Sequence, residues 1–122
     1  MFPYNPSFQP PAPTLYIEAI SPSTSVRRSM LAKLDTGADE TIIPEDLAAD
    51  LNLILRGQSL TFAFDNSTQL YLSYTIDLLI TGHNFIDLEV TAAPINYILL
   101  GRDVLNELVI SLDGPQRLFT IS

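Results

Sequence analysis

Alternation between apolar and polar positions dominates the chain. In LYLSYTIDLLI (70–80), Leu70, Leu72, Tyr74, Ile76, Leu78 and Ile80 share one face while Ser73, Thr75 and Asp77 take the other, which predicts a long, half-buried strand. FIDLEVT (85–91) alternates in the same way, with Ile86, Leu88 and Val90 expected inward, Asp87 and Glu89 outward, and Thr81-Gly82-His83-Asn84 as the turn before it. TLYIEAI (14–20) and SMLAKLD (29–35) flank the polar stretch SPSTSVRR and read as a hairpin. QSLTFAF (58–64) faces the start of the 68–80 strand across Asp65-Asn66-Ser67, a turn signal between strand formers. LVISLDGPQRLFTI reads as strand, Asp-Gly turn and strand.

The period of 3.6 is scarce. PEDLAADLNL (44–53) opens on proline and two acids and spaces Leu47 and Leu51 four apart, so a short helix is expected there. RDVLNEL (102–108) is a second short candidate. The opening MFPYNPSFQPPAPT holds five of the nine prolines and almost no charge. Prolines remove backbone donors, so residues 1–13 are expected to be a flexible leader and 14–122 a single domain.

Composition narrows the function classes. Apolar residues make up 47% of the 122 and charged residues 16%, which suits one compact globule of mainly β structure and is too short for two ordinary lobes. Fourteen acids oppose six bases, and no basic cluster exceeds Arg27-Arg28, so nucleic acid and anionic membrane surfaces are not expected partners. No cysteine is present, which excludes thiol nucleophiles and thiolate-bound metals. No apolar run approaches a membrane span and no signal peptide precedes the domain, so a soluble, cytoplasmic protein is the expectation. His83 is the single histidine and sits in a turn, leaving a zinc site or a Ser-His triad little to build on.

Two segments carry candidate chemistry. In LAKLDTGADETIIP (31–44) an apolar run delivers Asp35 to a Thr36-Gly37 turn, a place where a carboxylate needs hydrogen bonds or a shared proton, and where glycine admits close approach. The tripeptide by itself also suits a solvated aspartate at the end of a strand. In ILLGRDVL (98–105) bulky residues precede Gly101, a glycine expected to mark close backbone approach. Arg102 opens the helix, with Asp39 as its natural bidentate partner.

With both segments in this order and β-strands between them, the chain resembles the retropepsin-like aspartic proteases, as a cellular or bacterial-type member. The Asp-Thr-Gly-Ala-Asp block with its apolar sequel matches 35–43, the apolar-apolar-Gly-Arg-Asp block matches 99–103, and the likeness covers about residues 14–121. The resemblance implies an acid-protease barrel, one lobe per chain, active as a two-fold homodimer on peptide or protein substrates, with no metal or cofactor. It makes Asp35 catalytic as one half of a carboxylate pair, with activity favouring acidic to mildly acidic pH. Thr36, Gly37, Asp39 and Arg102 become active-site support, Arg102 tying the helix to Asp39. Gly37, Ala38, Asp39 and the hairpin tip Asp65, Asn66 and Ser67 become substrate contacts.

Two features depart from the viral pattern. Between 38 and 100 the only glycines are Gly57 and Gly82, so the flap tip, placed at Phe64-Asp65-Asn66-Ser67-Thr68, is polar and lacks glycine. The C-terminal stretch is a hairpin instead of a single closing strand, which points to a dimer sheet unlike the viral one. The unusual flap also raises the alternative of a peptide-binding or scaffold module that cleaves little, against which the intact Asp-Thr-Gly argues.

Overall fold

A computed structural model describes residues 1–62 and 68–122 of the chain. The proposed hairpin-tip contacts Asp65, Asn66 and Ser67 lie outside the described residues. Along the chain run β1 (Phe2–Asn5), β2 (Ala12–Ile20), β3 (Arg27–Leu34), β4 (Ile42–Pro44), α1 (Glu45–Asp50), β5 (Leu55–Phe62), β6 (Thr68–Ile80) and β7 (His83–Ala93). They are followed by β8 (Ile98–Leu100), α2 (Arg102–Leu105), β9 (Ile110–Asp113) and β10 (Leu118–Ile121).

Among the described residues the strands form one 10-stranded sheet, in the order β5-β6-β7-β4-β8-β3-β2-β1-β10-β9, and an additional β6–β2 pairing curls its middle into a closed barrel. Inside sit Ile17, Ile43, Leu47, Ile76, Leu78, Ile80, Ile98, Leu100 and Val104, nearly all without solvent contact. Each such side chain contributes roughly 1.5–3 kcal/mol by leaving water. Closure also removes the edges that β2 and β6 would otherwise present.

The alternation on β6 is realised only in part. Ile76, Leu78 and Ile80 are fully buried, whereas Leu70 is exposed. From Thr68 to Leu72 the strand pairs with β5 alone, and β7 joins it only from Ser73, so its first half stands clear of the barrel as a hairpin arm. On β7 the expected inward face is corrected: Ile86 is 65% exposed. A bulge shifts the register between Ile76 and Leu78, so that Phe85 lies opposite Leu78 and Leu88 opposite Ile76. Asp87 takes a positive φ of 53° there, and its N–H donates to Asp77 Oδ1 at 2.8 Å. The extra residue changes the phase of the alternation and turns Ile86 outward.

The flexible leader is corrected as well. Phe2 and Pro3 pair with Phe119 and Leu118 of β10, and Tyr4 and Asn5 pair with Pro13 and Ala12 of β2. The Tyr4 N–H donates to Arg117 O at 2.8 Å, so in this alternating ladder the nitrogen of Pro3 points away from β10 and its missing proton costs no bond there. Aromatic packing supplies the hold: Phe2 stacks on the buried Phe119 ring at 5.2 Å and Tyr4 lies 6.2 Å from it. Further along, Phe8 meets Tyr97 edge-on at 5.3 Å, with Lys33 Nζ 4.8 Å above the Phe8 ring.

Helix α1 carries Glu45 and Asp46 in its first turn, buries Leu47 and Ala48, and ends where Asn52 adopts a positive φ of 50°. No helix among the described residues is long and apolar enough to cross a membrane.

Candidate active site

The site is built where two parallel strands stop together. β3 and β8 run side by side with Leu34 opposite Leu100, and the ladder extends one residue further as the Asp35 N–H donates to Leu100 O at 3.0 Å. The ends of both strands bury Ala32, Leu34, Ile98 and Leu100 in the core, and the aspartate that follows Leu34 emerges at the barrel's rim. Asp35 is half-buried at that point. Its carboxylate folds back on the turn, Oδ1 accepting the Gly37 N–H at 2.9 Å, and its carbonyl accepts the Ala38 N–H at 3.2 Å. A Cβ at position 37 would stand 3.2 Å from the same Oδ1, a tight contact that would push on this carboxylate and that glycine avoids.

The start of α2 grips the turn from below. Arg102 donates its N–H to Ala38 O at 2.9 Å and its Nη1 to Thr36 O at 2.7 Å, while Nη2 pairs with Asp39 Oδ1. Asp39's side chain is 88% exposed and that of Arg102 42%, so the ion pair contributes little stability and the bonds to backbone carbonyls do more of the positioning. Asp35, Thr36, Gly37, Ala38, Asp39 and Arg102 thus form one connected unit.

Behind the turn lies a polar cluster that the sequence reading passed over. Thr41 is fully buried; its hydroxyl donates to Asp103 Oδ1 at 2.8 Å and accepts the Gly101 N–H at 3.2 Å, and its own N–H donates to Asp103 Oδ2 at 3.0 Å. Asp103 Oδ1 also accepts the Val104 N–H at 2.9 Å. One carboxylate therefore bolts the segment after Asp39 to the first turn of α2. The available signal was Asp103's place as the acid in that first turn, immediately after Arg102. Thr41→Val keeps the volume but strands the Gly101 N–H, and should cost about 1–3 kcal/mol in urea unfolding, with Thr41→Ser recovering most of the loss.

Glu40, adjacent to the clamp, is turned toward β7, where its Oε1 accepts the Thr91 hydroxyl at 2.9 Å. His83 opens β7 and is half-buried. Surface depressions of about 370 Å³ are lined by Leu55, Arg56, Thr75, Asp87 and Glu89, and by Glu45, Asp46, Pro94, Ile95 and Asn96; neither reaches Asp35. A single chain thus offers one half-exposed carboxylate on a rigid turn. Such a group can orient a water, but supplying a base and an acid in the same step takes a second ionisable partner.

Comparison with known proteins places these features in context. Residues 19–113 match the model of the retroviral aspartyl protease family. No curated protein sequence matches the chain. Among solved structures it is similar to a retropepsin-like aspartic protease from Rickettsia conorii, with TM-score 0.62 and 20% identity over 92% of this chain and 82% of that one. EIAV protease in complex with an inhibitor gives TM-score 0.58 and 19% identity, over 79% of this chain and 86% of that one. A foamy viral protease-reverse transcriptase bound to an RNA/DNA hybrid gives 0.57 and 22% over 79% of this chain, which spans 12% of that longer polypeptide.

Proposed function

The chain belongs to the retroviral aspartyl protease family, and from that premise we propose that it is a homodimeric aspartic endopeptidase whose two Asp35 carboxylates, one per subunit, activate the hydrolytic water. The observation that carries this reading is the setting of Asp35: a half-buried carboxylate at the end of the β3–β8 ladder, fixed by the Gly37 N–H on a turn that Arg102 clamps.

Two carboxylates brought to contact distance cannot both be charged cheaply, so they share one proton, the general behaviour of aspartic-protease carboxylates. The ionised member takes a proton from water as the oxygen attacks the peptide carbonyl. The protonated member donates to the developing oxyanion. As the tetrahedral intermediate collapses, the carboxyl that took the proton from water passes one to the departing amine, and the other carboxylate takes one back from a hydroxyl of the gem-diol, so the pair again holds a single proton. Thr36 and Gly37 are exposed on the rim, which leaves them free to meet a second subunit and an extended substrate. Ala38 and Asp39 continue that edge, and Asp65, Asn66 and Ser67 are proposed as further substrate contacts.

A site divided between subunits makes activity concentration-dependent. Specific activity on a peptide library should fall on dilution in step with the dimer fraction measured by sedimentation on the same samples. Cleavage by a purely monomeric fraction would overturn the two-carboxylate reading. Absence of cleavage across the pH range, by a protein that still dimerises, would favour the peptide-binding module.

A further inference from the structure

The proposed site needs a second copy of the chain, and β9 has an open edge suited to receive it. The terminal part of the sheet runs β1-β10-β9, with β9 last in order and β10 its sheet partner among the described residues. Val109 and Ser122 exchange backbone bonds at 2.8 and 3.5 Å. Because antiparallel pairs alternate, the bonded positions toward β10 are Val109, Ser111 and Asp113. The N–H and C=O groups of Ile110 and Leu112 therefore point to the open side of β9.

The side chains tell the same story. Leu112 lies directly opposite Phe119, which is 1% exposed, and so shares its core-facing side. Yet Leu112 is 54% exposed, because among the described residues the sheet stops at β9. An apolar side chain on the inner face of a sheet, beside unpaired backbone groups, is the signature of an edge awaiting another strand. The strand itself carries little charge in a chain with a formal net charge of -8. The single acid of β9, Asp113, is held within its own turn by the backbone and side-chain amides of Gln116 at 3.1 and 3.0 Å.

We propose that the homodimer forms by antiparallel pairing of β9 with β9 of a second copy about a two-fold axis through Ser111, giving the continuous order β1-β10-β9-β9′-β10′-β1′. In this register Ile110 faces the partner's Leu112 and the reverse, so that each outward N–H and C=O of these residues finds a mate. Shifting the register leaves some of them unpaired, which selects this one. The two Ser111 residues meet on the axis as a non-hydrogen-bonded pair, with Cα atoms about 4.5 Å apart. The inference rests on the reading of Asp35 as half of a two-chain site, and its test is independent of catalysis.

That spacing suits a disulfide, and the chain has no cysteine of its own. Under mild oxidation, full-length Ser111→Cys should convert to a covalent dimer, while Thr24→Cys in the exposed β2–β3 turn should not. Leu112→Pro removes only an outward donor and leaves the β10 ladder intact. It should keep the wild-type circular dichroism spectrum and weaken dimerisation at least about tenfold in sedimentation. A Ser111→Cys chain that sediments as a dimer yet resists cross-linking overturns the proposal, as does Leu112→Pro dimerising like the wild type. Cross-linking through position 111 in a protein that cuts no peptide would uphold the interface and reject the protease reading.

Discussion

Asp35→Asn is expected to lower kcat/KM for peptide cleavage by about 10⁴-fold and to leave a folded dimer. The amide keeps an oxygen for the Gly37 N–H, so the turn survives; what disappears is the group that can take a proton from water and the one that can return it. Stability should hardly change, because Asp35 is not part of the hydrophobic core. Steady-state kinetics beside sedimentation of the same preparation separates the two effects. An Asn variant that cuts as well as the wild type would remove Asp35 from the chemistry altogether.

The second large effect is structural. A Cβ on Gly101 would sit 2.5 Å from both the carbonyl carbon and the oxygen of Glu40, and 2.9 Å from its Cα. These are backbone atoms with no rotamer to yield, and the segment is pinned on the other side through Thr41 to Asp103. Gly101→Ala should therefore cost roughly 3 kcal/mol or more, at the upper end for inserting one carbon into a packed site. It should also cut activity beyond the loss of folded protein, because β8 and the Asp35 turn must part to make room. Activity per folded molecule, with folded fraction taken from denaturant titration, checks the second half of that expectation.

Gly101 also illustrates what was legible in the sequence. Bulky residues before a lone glycine signalled close approach, and Glu40 proves to be the neighbour. Strands β2, β3, β6 and β7 could be read because each keeps its alternation long enough to register. β4 and β8 could not, since Ile42–Pro44 and Ile98–Leu100 offer too few positions for any period and exist as strands only through their neighbours. Ile86 misled because a bulge has no periodic signature. β1 is hidden by its surroundings: proline density argues for a free leader, while the anchors Phe2 and Tyr4 carry no periodic signal of their own. At the site, the Asp-Thr-Gly and Gly-Arg blocks stood out as motifs. The Thr41–Asp103 bonds join residues far apart in sequence, and only tertiary structure brings them together.

The joining of β1 to β10 also orders events during synthesis. Residues 2 and 3 pair with 119 and 118, so the sheet that ends in β9 cannot be completed until β10 has been synthesised. The barrel strands β2 to β8 lie upstream and can collapse first. Until β10 arrives, β9 has neither its inner neighbour nor a defined outward edge. Subunit pairing through that edge would thus wait for β10, and a chain still lacking that strand, whatever the state of its Asp35 turn, would have no formed edge with which to recruit a partner.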